Sequence, residues 1–242
     1  SSGCAASRYI ATGEEIVDYD YNLGEQPTRI KVSNSNTPVI KVSDDLVCTM
    51  GDFGEYSGSN AYILNSDGAE RASLSVGVTG AHFSVAKYTS GTDTLVMILN
   101  ADQIAGLSSE INTRFITVTN TGSASIGGYN SSTSRKTLDG ARDFILASFV
   151  NRNDGVLAII GNSVYRYYKN TGTQEPLYAN IGTLKMSGTL SKYSICSLGN
   201  NVSGCEGFLL SYYNSTDKKT YLVAFTVNNS SNALTVGTPV VL

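Results

Sequence analysis

Leu234-Thr-Val-Gly237 closes a series of five related tetrapeptides, and their spacing decides how this chain reads. The others are Tyr21-Asn-Leu-Gly24, Leu74-Ser-Val-Gly77, Ala124-Ser-Ile-Gly127 and Ala179-Asn-Ile-Gly182. Each runs from an apolar or small residue, through a small polar one, to a branched aliphatic and then Gly. The glycines lie 53, 50, 55 and 55 residues apart. One such string is common in β proteins; five at near-constant spacing mark an internal repeat. Apolar–polar alternation reads as a half-buried strand, and the glycine permits a bulge or bend as the chain leaves it.

Working outward, the unit ending at Gly182 holds further strand-like runs at Phe144–Val150, Val156–Ile160, Val164–Tyr168 and Leu177–Ile181. The unit ending at Gly237 holds Tyr193–Cys196, Phe208–Tyr213, Tyr221–Val227 and Leu234–Val236. Both give four strands per repeat. Hairpin turns are predicted at Asn65-Ser-Asp-Gly68, Asn100-Ala-Asp102, Asn153-Asp-Gly155, Asn170-Thr-Gly172 and Asn214-Ser-Thr-Asp217, because these residues tolerate a left-handed backbone. Four-stranded antiparallel units repeated at this period describe a β-propeller in one domain spanning residues 1–242. The alternative is a β-sandwich, in which hairpins recur without radial symmetry. Residues 1–24 and Thr238–Leu242 would combine into a fifth blade, or the chain is part of a larger propeller.

The last unit, from Phe208-Leu-Leu-Ser-Tyr-Tyr213 through Thr220-Tyr-Leu-Val-Ala-Phe-Thr-Val227 to Leu234-Thr-Val-Gly-Thr-Pro-Val-Val-Leu242, resembles the degenerate propeller repeats of phage tail-fibre and secreted adhesion proteins. That resemblance implies a surface-displayed scaffold, extracellular or on a virion, and transfers no functional residue.

Composition agrees with many short strands and turns: 24 Gly, and only 15% charged residues. With 41% hydrophobic residues, 15 Tyr and 7 Phe, the chain has the means to fold. A formal charge of −3 and no dense Lys/Arg run argue against nucleic acid as a partner. The longest apolar runs, such as Leu95-Val-Met-Ile-Leu99, suit single strands and not membrane insertion by a helix. Of the four cysteines, Cys196 and Cys205 flank a strand–turn–strand and are expected as a disulfide or as two buried thiols. Whether Cys4 and Cys48 pair is left open.

No catalytic constellation stands out. His82 is the chain's one histidine, and it falls in an apparent strand, Ala81–Tyr88. Ser84-Val-Ala-Lys87 fits a Ser-x-x-Lys string, but that motif needs a helical turn between its members and this segment alternates like a strand. Glycoside hydrolases need paired carboxylates; Asp18, Asp20, Asp44, Asp45, Glu110, Asp139 and Asp143 are the candidates, and they fall at strand ends and turns. Asn151-Arg-Asn-Asp-Gly155 has one carboxylate where a calcium loop has several. No metal site and no cofactor are expected. Tyr165, Tyr167 and Tyr168, with Tyr212 and Tyr213, are the densest aromatic groups, and alternation sends part of them to the core.

The function expected on these grounds is a non-catalytic binding, adhesion or structural module, taking a cell-surface glycan or protein, or sister subunits. A propeller-type glycoside hydrolase and a purely architectural fibre component are the alternatives. The binding site is expected in Gly127–Gly140, the longest non-strand stretch, where Tyr129, Arg135 and Lys136 offer an aromatic platform and two donors.

Overall fold

The computed structural model describes residues 9–11, 15–19, 25–31, 39–51, 60–65, 68–76, 82–102, 110–127, 135–137 and 143–242. Every regular element among them is a β-strand, and all strand pairs are antiparallel. Five sheets follow one another along the chain. Sheet I is β1 (Tyr9–Ala11), β2 (Glu15–Tyr19) and β3 (Glu25–Lys31). Sheet II is β4 (Val39–Lys41), β5 (Leu46–Gly51), β6 (Asn60–Asn65) and β7 (Glu70–Ser75). Sheet III is β8 (His82–Ser90), β9 (Asp93–Asp102), β10 (Glu110–Val118) and β11 (Ala124–Ile126), with β12 (Arg135–Thr137) also on β10. Sheet IV is β13 (Phe144–Ser148), β14 (Val156–Ile160), β15 (Ser163–Lys169) and β16 (Pro176–Thr183). Sheet V is β17 (Leu190–Val202), β18 (Cys205–Asn214), β19 (Lys219–Asn228) and β20 (Leu234–Val236), with β21 (Val240–Val241) also on β19.

Sequence order and spatial order agree within each sheet, as hairpin-connected strands should. The first strands also meet from sheet to sheet: β1 with β4, β4 with β8, β8 with β13, and β13 with β17. Sheets II to V therefore stack face to face in chain order. The cores show the same arrangement. Leu46, Cys48 and Ile63 of sheet II pack on Val96, Ile98 and Ile116 of sheet III. Met97, Leu99 and Phe115 on the other face of sheet III pack on Phe144, Leu146 and Tyr167 of sheet IV. Leu157, Ile159 and Val164 on sheet IV's far face pack on Phe208, Leu210 and Phe225 of sheet V. β14 is buried at all five positions because both its faces are covered, which is why Val156-Leu-Ala-Ile-Ile160 is a continuous apolar run.

Of the repeated glycines that are described, Gly127 and Gly237 take equivalent places and Gly182 does not. The amide of Gly127 donates to the Phe115 carbonyl at 3.1 Å, one residue before the Ile116–Ile126 pair. Gly237 donates to the Ala224 carbonyl at 2.8 Å, one residue before the Phe225–Val236 pair. Gly182 sits at a register shift in β16, with φ 144°, a value that side chains disfavour. Gly24 and Gly77 lie outside the described residues.

Three expectations need correction. Val240–Val241 extends the edge of sheet V along Tyr221 and Leu222, so the C-terminal strand does not join the N-terminal residues in one blade. Asn100-Ala-Asp102 is not a turn; it continues β9 opposite Asn112, Ile111 and Glu110. The predicted disulfide is not formed: Cys196 faces Leu209 and Cys205 faces Val202, four positions along β18, or roughly 13 Å at strand rise. A bridge needs Cα atoms within about 7 Å.

Candidate functional site

The expected binding loop is shorter than its sequence suggests. Arg135 and Lys136 belong to β12, paired with Asn112 and Ile111 on the edge of sheet III, and so are strand residues. Tyr129 lies outside the described residues. The tyrosine groups are largely structural. Tyr167 is fully buried in the seam between sheets III and IV, with the rings of Tyr165 and Tyr178 at 6.1 and 5.5 Å, and burial raises its phenol pKa. Tyr212 is buried and stacks on Tyr221 at 5.5 Å.

Among the described residues, the candidate carboxylates lie on separate elements. Asp44 and Asp45 follow the end of β4, with Asp44 paired to Lys41 at 2.8 Å, and Asp143 precedes the start of β13. There Asp143 accepts from the backbone amides of Phe144, at 2.8 Å, and Tyr193, at 3.4 Å. Asp18 lies in β2, opposite Tyr9, and Glu110 in β10, opposite Asp102; Asp20 and Asp139 lie outside the described residues. Among the described residues, no three His, Cys, Asp or Glu side chains group as a metal site would require. His82 opens β8 opposite Ala101. The Asn151–Gly155 segment serves the fold: Arg152 holds Asp154 through two bonds, at 2.6 and 2.7 Å, which lowers the Asp154 pKa.

What the fold does gather lies on the first strands of sheets II, III and IV. The Ser84 hydroxyl on β8 accepts from the Leu146 amide of β13 at 2.9 Å. Two residues further along β13, the Ser148 hydroxyl accepts from the Lys87 amide at 3.0 Å. Serine suits both positions, because β8 and β13 run side by side without a ladder and a short hydroxyl satisfies an amide a neighbouring strand does not. Lys87 then reaches the other way, and its Nζ donates to the Lys41 carbonyl at the end of β4. One lysine thus touches three consecutive sheets: through its backbone to sheet IV, through its amine to sheet II, and from its own place in sheet III.

The electrostatics of that amine are unusual. Burial lowers the Lys87 pKa, and the positive charge of Lys41 lowers it further. Lys41 is steadied by Asp44, whose side chain is 92% exposed and so screened by solvent. Both effects favour the neutral form of the amine over its charged form, relative to an exposed lysine. The sequence pointed at Ser84 and Lys87 as a pair and set them aside because the motif needs a helical turn and this segment alternates like a strand; both lie in β8. The structure bears that out and gives each a separate partner.

Sequence reasoning also missed Glu206, which is wholly buried on β18. Its carboxylate accepts from the Val150 amide at 3.0 and 3.1 Å, from the Asn151 amide at 3.0 Å and side chain at 3.2 Å, and from the Ser197 hydroxyl at 2.7 Å. Strand alternation was the available signal, since it places Glu206 on the same face as Phe208, Leu210 and Tyr212. With its acceptor capacity used on the loop after β13, Glu206 ties sheet V to sheet IV.

No protein-family model matches the sequence, and no curated protein is similar to it at a significant level. The fold is similar to that of a solved Synechocystis apocarotenoid oxygenase mutant, with a TM-score of 0.51 and 6% identity, over 94% of this chain and 55% of that one. The chain therefore spans about half the length of the structure it matches. At this identity the likeness concerns the fold. It corrects the expectation of a non-catalytic, surface-displayed adhesion or structural module: a similar fold serves an enzyme, so repeated strands without a familiar motif are no mark of a passive scaffold.

Proposed function

We propose that the chain is a five-bladed β-propeller domain of an enzyme, with its site where the innermost strands of blades II, III and IV meet. Under this reading sheets I to V are the blades, and β1, β4, β8, β13 and β17 surround the axis. The face-to-face stacking in chain order supports it, as do the meetings of successive first strands. The observation that carries the functional part is the Lys87 amine, desolvated, placed beside Lys41 and fixed from two sides. Perturbed ionisable groups on converging strands are where chemistry concentrates on a rigid scaffold. The oxygenase activity of the structural neighbour is not carried over, because at 6% identity the likeness concerns the fold.

Two measurements test the reading. A crystal structure in which the five first strands do not surround one axis overturns the propeller. For the site, pyruvate and inorganic phosphate serve as small anionic probes in an amide-resolved NMR titration. Shifts centred on Lys41, Lys87 and Ser148, and lost in Lys87→Met, are expected. Shifts elsewhere, or shifts indifferent to Lys87, overturn it.

A further inference from the structure

We propose that Tyr167 and Tyr178 form an oxidative coupling site, at which a one-electron oxidant joins the two rings into a dityrosine staple between β15 and β16. Register brings the rings together: the two residues stand directly opposite on neighbouring strands, where side chains share one face of the sheet. Their ring centroids lie 5.5 Å apart with the planes tilted by 40°; Tyr165 is as close to Tyr178, at 5.5 Å, but stands at 88°. A bond between two ring edges needs rings turned only moderately out of one plane, which the first pair meets and the second does not. The pair also runs from the surface inward. Tyr178 is 37% exposed and Tyr167 is wholly buried, so an oxidant in solvent meets Tyr178 first.

The inner phenol carries a second mark. Among the described residues, the Tyr167 hydroxyl has no hydrogen-bond partner. Buried polar groups are nearly always paired, and redox chemistry is one of the roles that accounts for an exception. A phenol whose O–H is held by no acceptor gives up its hydrogen atom more readily than a bonded one. Burial, then the phenols of Tyr165 and Tyr178, raise the Tyr167 pKa, which places the hydroxyl ends within electrostatic reach of one another.

The step balances with the oxidant as electron acceptor. Tyr178 gives an electron to the oxidant and its proton to water. The phenoxyl so formed takes the hydrogen atom of the Tyr167 hydroxyl, which restores Tyr178 and leaves the radical inside. A second oxidant molecule oxidises Tyr178 again, and the two radicals pair at ring carbons next to their oxygens. One C–C bond forms, and the hydrogens on those carbons move to the oxygens as the rings regain aromaticity. In total two electrons and two protons have left.

Photo-oxidation of the folded chain with tris(bipyridyl)ruthenium and persulfate, followed by tryptic peptide mass spectrometry, tests the proposal. The expected product is Tyr167–Lys169 linked to Asn170–Lys185, two hydrogens lighter than the separate peptides, with dityrosine fluorescence. Tyr168 shares the first peptide, so Tyr168→Phe should keep the link and Tyr167→Phe should lose it. Tyr167→Phe removes only an unpaired hydroxyl and should leave the urea midpoint no lower. Tyr212 and Tyr221 serve as the internal standard. They too are opposite one another at 5.5 Å, but their rings are stacked at 11° and the Tyr221 hydroxyl donates to Asp217. Coupling at Tyr167 and Tyr178 should exceed theirs roughly tenfold, an orientation effect that urea should abolish. A link retained in Tyr167→Phe, coupling that favours Tyr165 or the stacked pair, an equal yield in urea, or no link at all overturns the proposal.

Discussion

The seam between sheets III and IV and the seam between sheets IV and V bury similar apolar residues but are tied differently. Across the first, polar ties come singly. Ser84 and Ser148 each accept one amide, the Tyr88 hydroxyl accepts the Lys169 amide at 2.9 Å, and the Lys169 amine donates to Thr117 at 2.9 Å. Across the second, much of the polar bonding runs through Glu206, joined by Tyr193, whose hydroxyl donates to the Gly161 carbonyl at 2.8 Å. The difference teaches where failure should begin. A seam with distributed ties loses little from any one change, whereas a seam centred on one carboxylate has a single weak point.

Replacing that carboxylate should give the largest effect. Glu206→Ala leaves the buried Ser197 hydroxyl without its acceptor and removes the acceptor of the part-buried amides of Val150 and Asn151; an orphaned buried donor costs about 1–3 kcal/mol. We expect a loss of about 3 kcal/mol in urea unfolding, with Glu206→Gln intermediate because one oxygen remains. A loss below about 1 kcal/mol would mean the two seams are tied alike.

The repeated glycines sharpen the comparison next, since one lies at each seam. A Cβ on Gly127 would overlap the backbone carbonyl of Gln174, in the β15–β16 turn of the next sheet, and neither side can swing away. A Cβ on Gly182 would stand 2.7 Å from the Leu234 side chain, which can move, but there φ of 144° adds strain. Each Gly→Ala change should cost about 2 kcal/mol. Adding Leu234→Ala should recover part of the Gly182 loss, and no side-chain change should recover that at Gly127. Equal rescue at both would show that backbone contact is not the reason.

These positions also show what the sequence made legible. The tetrapeptide spacing located equivalent strand ends at Gly127 and Gly237, because a strand that must pack on two neighbours leaves apolar alternation and a glycine where the chains approach; Gly182 instead falls inside β16 at a register shift. The four strands of sheet IV are where alternation put them. β12 was not legible: Arg135-Lys-Thr137 is an edge strand paired on one side, and such edges need no apolar face. Alternation put Glu206 on the buried face, but its partners Val150 and Asn151, 56 and 55 residues away in the chain, were not legible. The Lys87 site was half legible; its two residues were visible, but the strands that separate them and supply their partners come from the stacking of three sheets.

A smaller effect tests the distributed seam. Ser84→Ala and Ser148→Ala each remove one acceptor from an amide between β8 and β13, and each should cost about 1 kcal/mol. The loss should fall on the unfolding midpoint with an unchanged slope against denaturant, as for a local change in a two-state fold. Should either serine match Glu206→Ala in cost, the III–IV seam too would have a single weak point.

The smallest expected effect lies within sheet V, at its two cysteines. Cys196 and Cys205 sit on neighbouring strands but out of register for a bridge, so the Cys196→Ser, Cys205→Ser chain should unfold within about 0.5 kcal/mol of the parent, as surface changes commonly do. A disulfide closing so short a loop would contribute about 2–3 kcal/mol, a difference that urea unfolding resolves. Adding dithiothreitol to the parent should likewise leave the midpoint unmoved. Cys48 provides the control, because burial between sheets II and III pushes its thiol up to about 12. At pH 8 the half-buried Cys196 and Cys205 should take iodoacetamide in the folded chain while Cys48 stays unmodified until urea is added. A linked Cys196–Cys205 peptide recovered without reductant would sink the register read for β17 and β18.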